Sequence, residues 1–152
     1  MKHRLYRLTD QDRQRITDLL VATLMADPTV AFAYLFGSFL EGNTVHDVDV
    51  GIYLHPFDTT RHTEIVASLA QRLTDAAGLP VDVRILNQVP MTFLYHAVRG
   101  HRLVSKNDDL LASTLENVSR RYLDIAPLLL KATKEAFSNV EASRSSFLET
   151  SR

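Results

Sequence analysis

The chain has 152 residues, a net charge of −1, 45% hydrophobic residues and no cysteine, which fits one domain that buries roughly 70% of its unfolded surface. Without cysteine it has neither disulfides nor thiolate metal ligands. Without a basic excess it lacks the charge for a broad, stable grip on nucleic acid, and no apolar run reaches the roughly 20 residues that span a membrane.

The start, MKHRLYRLTDQDRQR, is charged throughout and unlike a signal peptide, so the expected location is the cytoplasm. Residues 1–8 read as a basic lead-in. Thr9 and Asp12 stand close to a capping box and open a helix over about 9–25. Its apolar positions Ile16, Leu19, Leu20 and Leu24 recur at helical spacing, and Ala26-Asp27-Pro28 ends it. Residues 30–36 form a first strand, followed by the Gly37-Ser38 turn and the spacer FLEGNTVH. A second strand, DVDVGIYL, carries Asp47 and Asp49. Alternation puts Asp47, Asp49, Gly51 and Tyr53 on one face and Val48, Val50, Ile52 and Leu54 on the core face.

His55 to Asp58 makes a loop, and Thr59 or Thr60 caps a helix with Ile65, Val66, Leu69 and Leu73 inward. Gly78 closes that helix. In the next strand, LPVDVRILN, Val81, Val83 and Ile85 face the core and leave Asp82 and Arg84 on the other side. Pro90 starts a short helix with Phe93, Leu94, Ala97 and Val98 inward, Gly100 ends it, and 101–105 is a short edge strand. Asn107 or Asp108 caps a long last helix rich in leucine, which Pro127 is expected to kink or split. Residues 138–152 are polar and serine-rich, a tail expected to fray or to reach toward a partner. Alternating strands and helices predict an α/β (α+β) fold, a small mixed sheet flanked by helices with a long C-terminal helical segment. The expected domain is 1–137, with its core in 30–137.

Two carboxylates on one strand face repel each other, and a divalent cation is the usual way to hold both charged. A glycine after an apolar strand lets backbone approach a ligand closely, and N–H groups opening a helix near Ser38 favour phosphate. Alone, an Asp-x-Asp pair is more often an ordinary strand surface and a Gly-Ser pair a plain turn. In this order between two apolar strands they read as a nucleotide site, with Gly37 and Ser38 on phosphate and Asp47 and Asp49 on metal. If the Asp82 strand lies beside the Asp49 strand, cross-strand neighbours about 5 Å apart let Asp82 share that metal. The six histidines lack zinc spacing on one helix, and His46 reads as a loop residue. Arg84 serves either phosphate or Asp82. Arg120, Arg121, Tyr122 and Asp124 form a polar–aromatic cluster whose plain reading is helix surface.

Hydrophobic-Gly-Ser, a spacer, then Asp-hydrophobic-Asp-hydrophobic resembles the nucleotidyltransferase signature of the DNA polymerase beta superfamily. The small size resembles its minimal nucleotidyltransferase (MNT) antitoxins, and the resemblance covers roughly residues 30–137. The spacer is shorter than that family commonly has, and His46 stands where it often has serine. The resemblance implies a polymerase beta-like fold and an Mg²⁺-dependent transfer of AMP from ATP to a hydroxyl. It also implies two Mg²⁺ ions on Asp47, Asp49 and Asp82, the last being the third ligand. The acceptor it implies is a tyrosine of a cognate HEPN-domain toxin, neutralised by the modification. Two rivals remain: an antitoxin that masks the toxin by binding alone, and a small-molecule nucleotidyltransferase of the aminoglycoside-modifying kind.

Overall fold

The computed structural model of the chain describes residues 4–42 and 44–150. His3 and the rest of the first three residues, Asn43 of the spacer, and the last two residues of the polar tail lie outside the described residues. The chain divides after Val118 into two compact units.

The first unit is built on a four-stranded mixed sheet. Strands β2 (Val30–Phe36) and β4 (Val48–Leu54) pair antiparallel, β5 (Val81–Ile85) lies parallel to β4, and β6 (His101–Ser105) closes the other edge antiparallel to β2. The order is therefore β5-β4-β2-β6. The short link between β2 and β4 suits an antiparallel neighbour, whereas the parallel β4–β5 pair needs a helical crossover. That crossover is α2 (His62–Ala77). Every residue of β2 is buried, which accounts for its unbroken apolar run VAFAYLF: a central strand covered on both faces has no reason to alternate.

One face of the sheet packs under α1 (Asp10–Met25) and α2. Ile16, Leu20 and Leu24 of α1 and Leu69 and Leu73 of α2 meet Val48, Val50, Ile52 and Leu54 there. Burying each large side chain of this kind contributes roughly 1.5–3 kcal/mol. The other face collects Phe32, Tyr34, Phe36 and Leu86 against α3 (Met91–Val98) and Leu111. Phe32 stacks on Tyr53 with ring centres 4.7 Å apart.

The ends of α1 are satisfied by side chains. The capping box forms: Asp12 N–H donates to Thr9 Oγ1 at 3.1 Å, and Thr9 N–H donates to Asp12 Oδ2 at 3.0 Å. At the other end Lys106 Nζ donates to the carbonyls of Leu24 (2.9 Å), Met25 (3.3 Å) and Asp27, a cation placed at the negative end of the helix dipole. Asp27 is buried, accepts from Thr29 and pairs with Arg72 at 2.7 Å.

Three local expectations change and one alternative is settled. Leu19 is 37% exposed, since the buried stripe of α1 is the narrower set spaced by four. Asp58, not a threonine, caps the entry to α2: it accepts from Thr60 N–H at 2.9 Å and opens a 3₁₀ turn, Thr59–Arg61. The lead-in holds a short strand, β1 (Tyr6–Arg7), which pairs with β3 (Thr44–Val45) in the spacer. Its two residues are too few for a periodicity to show. Asn107 does cap the last helix, α4 (Asp108–Thr150), accepting from Leu110 N–H at 3.0 Å.

The second unit, 119–150, is the remainder of α4. Helix continues through Pro127 and through the polar segment as far as Thr150. Proline removes one N–H and crowds one carbonyl, but the leucine, alanine, lysine and glutamate around it favour helix strongly enough to carry the element on.

Candidate functional site

The site starts at the end of β2. Phe36 pairs with Asp49 across the antiparallel ladder, and Asp49 pairs with Asp82 across the parallel one. Adjacent strands run about 4.8 Å apart, so the register alone brings Asp49 and Asp82 side by side. Asp47 is the residue just before β4 and not part of the strand, a correction of one residue. Asp47, Asp49 and Asp82 are all half-buried, while the valines and isoleucine between them are buried.

Gly37 follows Phe36 with φ +78° and begins a 3₁₀ turn, Gly37–Leu40. A Cβ there would stand 2.2 Å from Asp49 Oδ2. Two independent facts therefore demand glycine: a left-handed backbone and a carboxylate pressed against it. The turn is 3₁₀, tighter than the short helix expected, and Ser38 is exposed at its start.

Burial, then the charges of Asp47 and Asp82, hold the Asp49 carboxyl above the usual carboxylate range, and Arg84 opposes them. Both other aspartates therefore lie within electrostatic reach of Asp49. Arg84 Nε stands 3.5 Å from Asp82 Oδ2, with both side chains roughly half exposed. Of the two partners open to Arg84 in the sequence, Asp82 is the one this geometry pairs with it. Among the described residues no group of three or more His, Cys, Asp or Glu side chains is gathered as a metal cage. Like charges hold one another apart unless a cation offsets them. The donor set itself, three carboxylates and no sulfur or imidazole, fits a hard divalent cation such as Mg²⁺. The raised Asp49 carboxyl is the group such a cation would relieve.

Gly37 and Ser38 line a cleft of about 430 Å³ together with Glu41, His96 and Arg99. Sequence reading missed His96 and Arg99 in this role. They stand three residues apart on α3 and its C-cap, hence on one side of the helix. That spacing is the only signal the sequence carried, and it does not point to a glycine sixty positions away. His46 is exposed in the turn ahead of Asp47, and Arg120, Arg121 and Asp124 are exposed on α4. Among the described residues no helix is long and apolar enough to cross a membrane.

The polymerase beta nucleotidyltransferase family matches residues 19–109. That span runs from α1 into the first turn of α4 and includes every residue of the site above. No curated protein matches the chain. Among solved structures it is similar to the tri-AMPylated Shewanella oneidensis HEPN toxin in complex with MNT antitoxin, with TM-score 0.51 and 20% identity. That match covers 83% of this chain and 99% of the other. A toxin–antitoxin with AMP-PNP matches with TM-score 0.53 and 21% identity over 80% of this chain and 98% of the other. A mutant of the toxin–antitoxin MntA–HpeT matches with TM-score 0.53 and 20% identity over the same shares. At these identities the likeness is one of fold.

Proposed function

Because the chain belongs to the polymerase beta nucleotidyltransferase family, we propose that it transfers AMP from ATP to a tyrosine hydroxyl of a cognate HEPN toxin and neutralises it, in the cytoplasm. The observation that carries this reading is the register that sets Asp49 beside Asp82, with Gly37 packed on the Asp49 carboxylate. Support for the acceptor comes from the similar structures, one an AMPylated HEPN toxin with its MNT antitoxin and one holding AMP-PNP.

The residues divide the work as follows. The Gly37-Ser38 turn directs backbone N–H groups and a hydroxyl at the β- and γ-phosphates, with Arg99 and His96 lining the same cleft. Asp47, Asp49 and Asp82 would hold two Mg²⁺ ions, which would supply positive charge to the phosphates and lower the pKa of the acceptor hydroxyl. Asp82, on the edge strand β5, accepts or steers the proton that leaves the acceptor. The acceptor oxygen bonds to the α-phosphorus, the bond to the β-phosphate oxygen breaks in line, and pyrophosphate departs. Such a transfer asks mainly for positioning and charge, with little covalent work by the protein. The partially buried setting of Asp49 makes each of these charges count for more than it would in water.

Intact-mass spectrometry tests the proposal. The product of the adjacent gene is incubated with this protein, Mg²⁺ and each NTP in turn. A ladder of AMP additions on that product, lost with Asp47→Asn, is the expected result. A tight complex without any mass change would sink the transferase reading. It would leave the second reading, an antitoxin that only covers its toxin. No complex and no transfer would direct attention to small-molecule acceptors.

A further inference from the structure

Residues 37–42, which include the Gly37-Ser38 turn, lie between β2 and β3 and belong to no strand. Gly37 and Gly42 bound them with φ +78° and +75°. Inside the segment Glu41 N–H donates to the Ser38 carbonyl at 3.0 Å, and Phe39 is buried in the core. Its other carbonyls need partners from elsewhere, and a turn whose N–H groups must stay aimed needs a hold from outside itself.

That hold comes from α1. Arg13 donates from Nη1 to the carbonyl of Phe39 and from Nη2 to the carbonyl of Gly42. Its guanidinium carbon lies 5.2 Å from the centre of the Phe39 ring. A rigid, planar fork of donors reaches two acceptors at once, which a lysine ammonium does not reproduce. Arg13 stands near the start of α1, where the helix dipole disfavours a cation. The Thr9–Asp12 capping box fixes that start, and Arg13 N–H donates to the Thr9 carbonyl at 3.0 Å. The two carbonyls beyond the turn offset the unfavourable placement of the charge.

We infer that Arg13 is a positioning residue for nucleotide transfer: it clamps residues 37–42 from behind, so that the turn presents its N–H groups to the triphosphate. The inference rests on the transferase reading. With Thr17, Leu35 and His101, Arg13 lines a cleft of about 250 Å³, separate from the one beside Gly37 and Ser38. Leu40 lines both clefts, so the segment is the partition between them. Arg13 therefore acts on phosphate through the turn. Contacts from the turn to phosphate are made alike in the ground and transition states, so loosening it shows in KM and not in kcat.

Steady-state transfer kinetics on the full chain test this, below the onset of unfolding of each variant. Arg13→Ala should raise KM for ATP roughly tenfold and leave kcat little changed. Guanidinium chloride, far below its unfolding concentrations, should enter the cleft that the truncation widens and bring KM back toward the wild-type value. Sodium chloride at the same concentration should not. Arg13→Lys keeps the charge and loses the fork; it should hold Tm close to wild type and still raise KM. A wild-type KM in Arg13→Lys would show that charge alone suffices and overturn the clamp. Arg13→Ala that is less stable yet keeps the wild-type KM would show a residue that only fastens α1 to the fold, and would overturn it too. A wild type that transfers nothing to any acceptor would overturn the transferase reading and this inference with it, an outcome read before any variant is made.

Discussion

Replacing Gly37 with alanine separates backbone strain from site geometry, because Gly78 supplies a matched control. Gly37 has φ +78° and Gly78 φ +77°, so alanine pays the same left-handed penalty at both, about 1 kcal/mol. In a chain of this length that lowers Tm by roughly 2–4 °C. At Gly78 nothing lies within 4 Å of the added Cβ, whereas at Gly37 it would sit 2.2 Å from Asp49 Oδ2. Ordinary contact begins near 3.4 Å, so the carboxylate must withdraw by about 1.2 Å. A side chain can rotate that far, so the extra cost in stability is small. The cost in chemistry is not, because misplacing a reacting group by about 1 Å lowers a rate roughly 100-fold. The expected outcome is two variants of similar Tm, measured by calorimetry, of which Gly78→Ala keeps the wild-type rate of AMP transfer and Gly37→Ala loses about two orders of magnitude. Equal transfer rates would show that the packing of Gly37 on Asp49 has no part in the chemistry.

Asp49→Asn should abolish transfer while raising Tm in metal-free buffer. The fold raises the Asp49 pKa, so the folded chain binds more protons than the unfolded one between the two values. Stability then falls as pH rises through that window, and the variant, scanned by thermal unfolding across pH, should lack the fall. Mg²⁺ should raise Tm of the wild type by mass action and leave Asp49→Asn unmoved, since only the former gains by binding. Asp27 titrates in the opposite sense: despite its burial, the bonds from Thr29 and Arg72 lower its pKa. Its stabilisation is present above the ordinary carboxylate pKa and is lost as pH falls through the folded value. Asp27→Ala strands Arg72, but that side chain is 45% exposed, so the loss by urea titration should be about 2 kcal/mol, below the range for a fully buried pair. Arg99→Ala should raise KM for ATP roughly tenfold with kcat little changed, if Arg99 binds phosphate in ground and transition states alike.

The sequence by itself determined the four strands of the main sheet and the helices beside them. Apolar alternation assigned Val48, Val50, Ile52 and Leu54 to the core, and the residues between them had to face elsewhere. The Thr9–Asp12 cap and the Gly78 stop were legible because each is a local bargain between a side chain and the few backbone groups next to it. The tertiary structure decided what those local rules cannot reach. Strand order and register set Asp82 opposite Asp49, and the close approach of Gly37 to that carboxylate follows from β2 pairing with β4. His96 and Arg99 share a cleft with the Gly37–Ser38 turn, and that cleft exists only once α3 has packed against β2. The two-residue pairing of β1 with β3 was likewise invisible, since neither strand is long enough to hold a pattern. Helix through Pro127 was a matter of competing energies, in which the sum of strong helix formers exceeded a single penalty. Register, packing and long-range charge are properties of residues far apart in the chain, and only the folded molecule fixes those separations.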